Sequence, residues 1–387
     1  MLKIYESNMK YLHWILLIAI FFISCNNRTT NYEGLISKKM DIKEFMDSYV
    51  QIIDFVPLET SNESLIGEII KVANFENKYL ILHKVGDNEV LSLYDLSGKF
   101  LGNIGSMGRA NNEYLNINDF TISYETREIY IFDSSPKVVV YNYDGSYHST
   151  IEIKEPTLQK LFPFICDSKI MEDGRIVLGF APNSRSEIEF CITTLCFDQI
   201  DVLSQASLKM QYGAFVSSRN TIISECDNIY AIRPLSTTIT TYSNGGHKDI
   251  CLNSQIQEEI TALSHNCKYI DDFYPKVLAK SYISSLFPMG KYCLATSSMD
   301  MYLFNNSAIV SVDCRNNQGV DFPIMPGSIV WSDKNQIITT VSPQFIMTAL
   351  EFMENHSRLK GQIANISNGL SEDSNPVLVR YNININL

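Results

Sequence analysis

The chain contains none of the short motifs that usually signal catalysis. It has no Gly-x-Ser-x-Gly elbow, no His-Glu-x-x-His pair and no Walker loop, so serine-hydrolase, zinc-protease and P-loop chemistry have no support here. It has nine cysteines but no Cys-x-x-Cys, which removes zinc ribbons and thioredoxin-type redox motifs. Its six histidines are scattered. Lys and Arg form no cluster and the formal net charge is −12, which argues against a nucleic-acid partner, because phosphate binding needs concentrated positive charge. Long apolar runs are also scarce. The longest, Tyr11–Ser24, is too short to cross a bilayer comfortably.

That run reads as an address. Lys3 and Lys10 precede it, Met9-Lys10 is the more basic of the two possible starts, and Ile23-Ser24-Cys25 ends it as a lipobox. Residues 1–25 are therefore expected to be a lipoprotein signal with Cys25 as the lipidated residue, and 26–48 a tether and lead-in. Asn26, Asn27 and Arg28 stand where an acidic run would favour display on the cell surface, so the expected location is the outer membrane, facing the periplasm. The other cysteines (Cys166, Cys191, Cys196, Cys226, Cys251, Cys267, Cys293 and Cys314) mostly have apolar neighbours and read as small core residues. Cys191 and Cys196 are expected on opposite faces of one strand.

What the sequence does have is a repeat. Val90–Phe120 reads as a strand, an Asp-Leu-Ser-Gly turn, a second strand, a glycine-rich loop and a third strand. The segment YDLSGKF (94–100) aligns with YNYDGSY (141–147) at an offset of 47, and Ile229-Tyr230 and Tyr242…Gly246 continue the pattern. Short strands at about ten-residue spacing, four per repeat, predict propeller blades. Helical spacing marks Gln255–Ser264, Ile270–Leu286 and Pro343–Asn355 as insertions. Tyr49–Leu58 and Val377–Asn384 are strand-like segments without a local blade, so they are expected to pair and complete the last one. The fold predicted over 49–387 is all-β: a six-bladed β-propeller closed by N- and C-terminal strands, with short helical insertions.

Val56-Pro57-Leu58-Glu59-Thr60, Ile104-Gly105…Gly108…Glu113-Tyr114 and Asn375-Pro376-Val377-Leu378-Val379 resemble the signposts of the six-bladed β-propeller lipoproteins of Gram-negative gut bacteria, distant relatives of NHL-repeat propellers. Arg109-Ala110-Asn111-Asn112 replaces the glycine-rich stretch of that pattern. The resemblance implies fold and envelope location more than chemistry.

Propeller topology puts the loops Lys84–Glu89, Gly105–Tyr114, Asp133–Lys137, Pro182–Glu187 and Arg233–Thr237 on one face. The ligand-contact candidates chosen from them are Arg109, Asn111, Glu113, Asp133, Arg185 and Arg233. No cofactor is identified; a divalent cation is a possibility, with Asp119, Asp133 and Asp300 as the carboxylates to be recruited. The leading reading is a lipid-anchored binding or scaffold protein for a glycan, a peptide or another envelope protein. The alternatives are a metal-assisted hydrolase or lyase on the channel face, and a structural accessory subunit of an outer-membrane transporter.

Overall fold

The structure is a computed structural model that describes residues 36–181, 187–205, 219–225, 228–243, 246–305, 307–320, 322–353 and 359–385. The described chain opens with β1 (Ile36–Asp41), α1 (Ile42–Tyr49) and β2 (Val50–Pro57). Asp41 caps α1 by accepting the Glu44 N–H at 2.8 Å. The first sheet follows as β3 (Ile69–Phe75), β4 (Lys78–Val85), β5 (Asn88–Asp95) and β6 (Phe100–Asn103). The second is β7 (Ile117–Ser123), β8 (Glu128–Asp133), β9 (Lys137–Asn142) and β10 (Tyr147–Glu152). After α2 (Pro156–Leu161) comes the third: β11 (Ile165–Ile170), β12 (Ile176–Phe180), β13 (Ile188–Thr193) and β14 (Asp201–Gln205). The fourth is β15 (Ile222–Glu225), β16 (Asn228–Ile232), β17 (Thr238–Ser243) and β18 (Gly246–Cys251).

Two helices, α3 (Ser254–Asn266) and α4 (Ile270–Leu278), precede the fifth sheet of β19 (Ser285–Met289), β20 (Tyr292–Thr296), β21 (Asp300–Phe304) and β22 (Ile309–Asp313). The sixth starts with β23 (Ile329–Asp333) and β24 (Gln336–Val341). After α5 (Pro343–Phe352) and α6 (Lys360–Ser367) it continues with β25 (Val377–Ile383). Strands β3 to β22 make five four-stranded antiparallel meanders in chain order, and β2 is the fourth strand of the sixth sheet, beside β25, with Val56 opposite Leu378 and Ile53 opposite Tyr381. Phe55, Leu378 and Tyr381 are buried there and Ile53 is half-buried.

Local chemistry explains the repeating turns. Asp95 Oδ1 accepts the Ser97 and Lys99 N–H groups at 2.8 and 3.0 Å, and Asp144 Oδ1 accepts that of Ser146 at 2.9 Å. The tyrosines of the repeat, Tyr94 and Tyr141, are buried. One apolar cluster fills each gap between consecutive sheets, and another joins Val56, Val330, Ile338 and Leu378 of the sixth sheet to Val72, Tyr79, Ile81 and Tyr94 of the first. Sheets packed face to face in this way, each a four-stranded meander, make a β-propeller.

Several expectations need correcting. Ile36–Asp41 was expected within a tether, yet it forms β1, which adds in parallel to the outer edge of β22. The helix expected over 270–286 ends at Leu278, and its last residues belong to β19, which pairs antiparallel with β20. Helices α2 and α6 were unexpected. Cys166, Cys191, Cys251, Cys267, Cys293 and Cys314 are buried free thiols, whereas Cys196 is exposed in a turn after β13 has ended. Cys226 lies outside the described residues.

Candidate functional site

The first strands of the six sheets (β3, β7, β11, β15, β19 and β23) neighbour one another in turn, and β23 lies against β3. They carry an unusual density of charge. Lys71, Asp119 and Asp167 are each the third residue of their strand, in IIKVANF, INDFTIS and ICDSKI. All three are buried.

Lys71 Nζ reaches Asp119 Oδ1 at 2.8 Å, Asp119 Oδ2 at 2.9 Å, Asp167 Oδ1 at 2.9 Å and the Phe120 carbonyl at 3.1 Å. Ser168 Oγ donates to Asp119 Oδ2 at 2.6 Å. Asp167 Oδ2 accepts the Thr221 and Ile222 N–H groups at 2.6 and 2.8 Å, which ties β11 to the start of β15. Burial disfavours every charge here, but the two carboxylates outweigh it and raise the Lys71 pKa. Asp167 is likewise held below the usual carboxylate range: burial opposes this, and Lys71, Lys169 and the Ile222 N–H prevail.

Arg219 also bridges the first and second sheets. It donates to the Asn118 carbonyl and, at 2.9 Å, to Glu89 Oε1. Burial raises the Glu89 pKa against the pull of Arg219, and Glu89 Oε2 finds no partner among the described residues.

Beyond the knot the axis opens into a cavity of about 460 Å³. All six first strands line it, through residues that include Lys71, Asn74, Tyr124, Lys169, Ser224, Glu225, Pro288, Trp331 and Asp333. Asn74, Tyr124, Glu225 and Asp333 sit at or just past the ends of their strands, so the cavity opens where the chain turns from first to second strand. Of the loops singled out from sequence, 84–89, 105–114, 133–137 and 233–237 lie at the opposite end of the sheets, between second and third strands or between one sheet and the next, and residues 182–186 lie outside the described residues.

Of the ligand-contact candidates, Asn111, Glu113, Asp133 and Arg233 have local partners. Arg109 is exposed. The Asn111 side chain is exposed, and its carbonyl accepts from Thr150 Oγ1. Glu113 staples its own loop, accepting the Ala110 N–H at 2.8 Å. A Cβ on Gly108 would meet that carboxylate at 1.9 Å, which is why a glycine stands there. Asp133 is fully buried and accepts from the Leu115 and Asn116 N–H groups and from Ser135 Oγ, at 2.9, 3.1 and 2.6 Å. Arg233 is half-buried against Thr240 and Asp249, at 3.2 and 3.9 Å. Arg185 lies outside the described residues, as does Cys25.

Asp119, Asp133 and Asp300 do not come together. Asp119 is taken up by Lys71 and Ser168, Asp133 by its loop, and Asp300 lies on β21 with Arg315 at 4.0 Å. Among the described residues no three His, Cys, Asp or Glu side chains gather as a metal site.

The central knot escaped the sequence reading, although a signal was present. Lys71, Asp119 and Asp167 recur at a spacing of 48, one charge in the same position of three successive apolar strands.

Comparison with known proteins supports the fold. A Bacteroides fragilis protein described as exported has 16% identity, with a TM-score of 0.62 over 90% of this chain and 99% of its own. A member of the DUF4221 family from Bacteroides vulgatus has 8% identity, with a TM-score of 0.50 over 87% of this chain and 97% of its own. At these identities the likeness is one of fold. No curated protein matches the chain. The model of the family described as "Domain of unknown function (DUF4934)" matches residues 31–382, nearly the whole described structure, and the chain belongs to that family.

Proposed function

We propose that this protein is a lipid-anchored envelope binding protein that takes its ligand in the axial cavity. In this reading the six sheets are the blades of one closed ring over residues 49–387, with β2 and β25 joining its ends. β1 and α1 clasp the ring from outside, and Cys25, made N-terminal by removal of residues 1–24, carries the lipid that holds the ring at the outer membrane, facing the periplasm. The observation that carries the binding role is the cavity itself. Its volume of about 460 Å³ falls in the range of small-molecule sites, and all six first strands contribute to its wall. Its lining mixes aromatic faces with a few hydrogen-bonding groups, the usual composition of a recognition site. Lys71, Asp119 and Asp167, by contrast, are tied into ion pairs that fix the strands relative to one another.

The test is hydrogen–deuterium exchange on the full chain against a library of sugars, short peptides and metabolites. A ligand is expected to protect the ends of β3, β7, β15 and β23, and Ser224→Trp, which fills the cavity, is expected to abolish that protection. Protection confined to residues 105–114 and 133–137, or binding unaffected by Ser224→Trp, would move the site to the opposite end.

A further inference from the structure

The shape of the cavity says that something small can enter; Lys169 says what kind. Lys169 follows Asp167 by two residues on β11 and lines the cavity. Its ammonium offers three hydrogen-bond donors. Among the described residues none of them meets an acceptor, whereas Lys71 beside it has all its donors engaged. The nearby carboxylates are already occupied. Asp119 accepts from Lys71 and Ser168, and Asp167 from Lys71 and from the N–H groups of Ser168, Thr221 and Ile222. The half-buried ammonium faces the cavity with its donors open to an acceptor on whatever fills it. Burial, reinforced by the Lys71 charge, holds the Lys169 pKa below the usual lysine range, and an anion beside it would reverse that.

The rest of the lining is different in character. Trp331 and Tyr124 present aromatic surface, Asn74 and Ser224 present neutral polar groups, and Glu225 and Asp333 are exposed at the mouth. Acidic groups at the mouth accept from hydroxyls and repel a second negative charge placed there.

We propose that the cavity binds a small hydroxylated monocarboxylate of the size of a hexuronic acid. Its carboxylate meets Lys169 Nζ, its body packs on Trp331 and Tyr124, and its hydroxyls face Asn74, Glu225 and Asp333. The proposal rests on the assignment of the cavity as the ligand site. Charge-assisted pairing favours the acid, and a neutral analogue leaves Lys169 unpaired.

The experiment is lysine footprinting on the full wild-type chain, acetylating in the presence of glucuronate, glucose or glucarate and reading each lysine by mass spectrometry. Glucuronate is expected to slow modification of Lys169 several-fold, with glucose far less effective and the diacid glucarate intermediate, while exposed Lys99 reacts at one rate throughout. By calorimetry, Lys169→Gln is expected to lose the preference for glucuronate over glucose, about tenfold, at an unchanged melting temperature. Equal protection by glucose overturns the acid class while leaving the cavity as the ligand site. Lys169 reacting at one rate with all three compounds overturns the proposal, and the cavity assignment is then judged by the Ser224→Trp exchange experiment. The footprint needs no substitution, so a folding defect in Lys169→Gln cannot obscure the answer.

Discussion

Replacing Lys71 with methionine removes the ammonium that bridges Asp119 and Asp167, and keeps most of the side-chain volume. Both carboxylates are fully buried and Lys71 is almost so. Asp167 would still accept the N–H groups of Ser168, Thr221 and Ile222, but Asp119 would keep only Ser168. The penalty therefore falls on Asp119, as an under-compensated buried charge. Breaking such a pair by removing one partner costs about 3–5 kcal/mol, a large fraction of a typical domain's stability. The sign of the pH dependence follows. Burial already raises the Asp119 pKa against the pull of Lys71, and with Lys71 gone it rises further above the unfolded value, so the folded variant takes up a proton at higher pH than the folded wild type does. Lys71→Met is then expected to regain stability relative to wild type as pH falls from 7.5 towards 5, by up to about 1.4 kcal/mol per pH unit. Urea denaturation of both proteins at several pH values measures this, and Asp119→Asn in the Lys71→Met background should restore much of the loss at neutral pH. A loss under about 1 kcal/mol, or a difference from wild type that does not shrink on acidification, would refute the view that the knot is a charge-balanced unit.

Three further outcomes are expected. His83 is buried, with Nε2 2.7 Å from Ser92 Oγ, and burial holds its pKa below the usual value. Its unfolded form takes up a proton first, so stability should fall as pH drops below about 6.5, and His83→Gln should flatten that slope. Gly98 has φ +88°, and a Cβ there would lie 2.1 Å from the Pro57 carbonyl oxygen, so Gly98→Ala should cost about 2 kcal/mol or more, read as a lower urea midpoint. Cys25→Ser should abolish lipid labelling and release the protein from the membrane fraction, because acyl chains supply about 0.8 kcal/mol per buried methylene.

The strands were legible where alternation and turn chemistry agree. The turns Asp95–Gly98 and Asp144–Gly145 mark the third hairpin of their sheets directly, and the two orphan strands at the ends of the repeat array proved to be partners. β1 was missed because ISKKMD reads as polar: an edge strand buries little beyond Met40 and needs no apolar face. β19 was hidden because the apolar spacing of α4 runs on into Leu286, and only tertiary packing decides where the helix stops. Candidate loop residues were chosen for exposed polarity, and polarity in this fold mostly serves the loop itself, as Glu113 and Asp133 show. The knot and the cavity depend on charges from strands 48 residues apart meeting on one axis. A single strand read in isolation does not reveal that convergence.

Joining both ends of the chain in one sheet is the claim on which ring, axis and cavity all depend. Val377, Leu378, Val379, Tyr381 and Ile383 of β25 are all buried, and β25 pairs with both β24 and β2. At roughly 1.5–3 kcal/mol per buried side chain, their removal takes away stability on the scale of a whole domain's margin. The direct test is the melting behaviour and solution state of a chain truncated after Asn375. Loss of the cooperative transition and aggregation are expected, while deletion of residues 26–35, ahead of β1, leaves the melting temperature unchanged. A truncated protein that is soluble, monomeric and melts cooperatively at the wild-type temperature would contradict the closed ring.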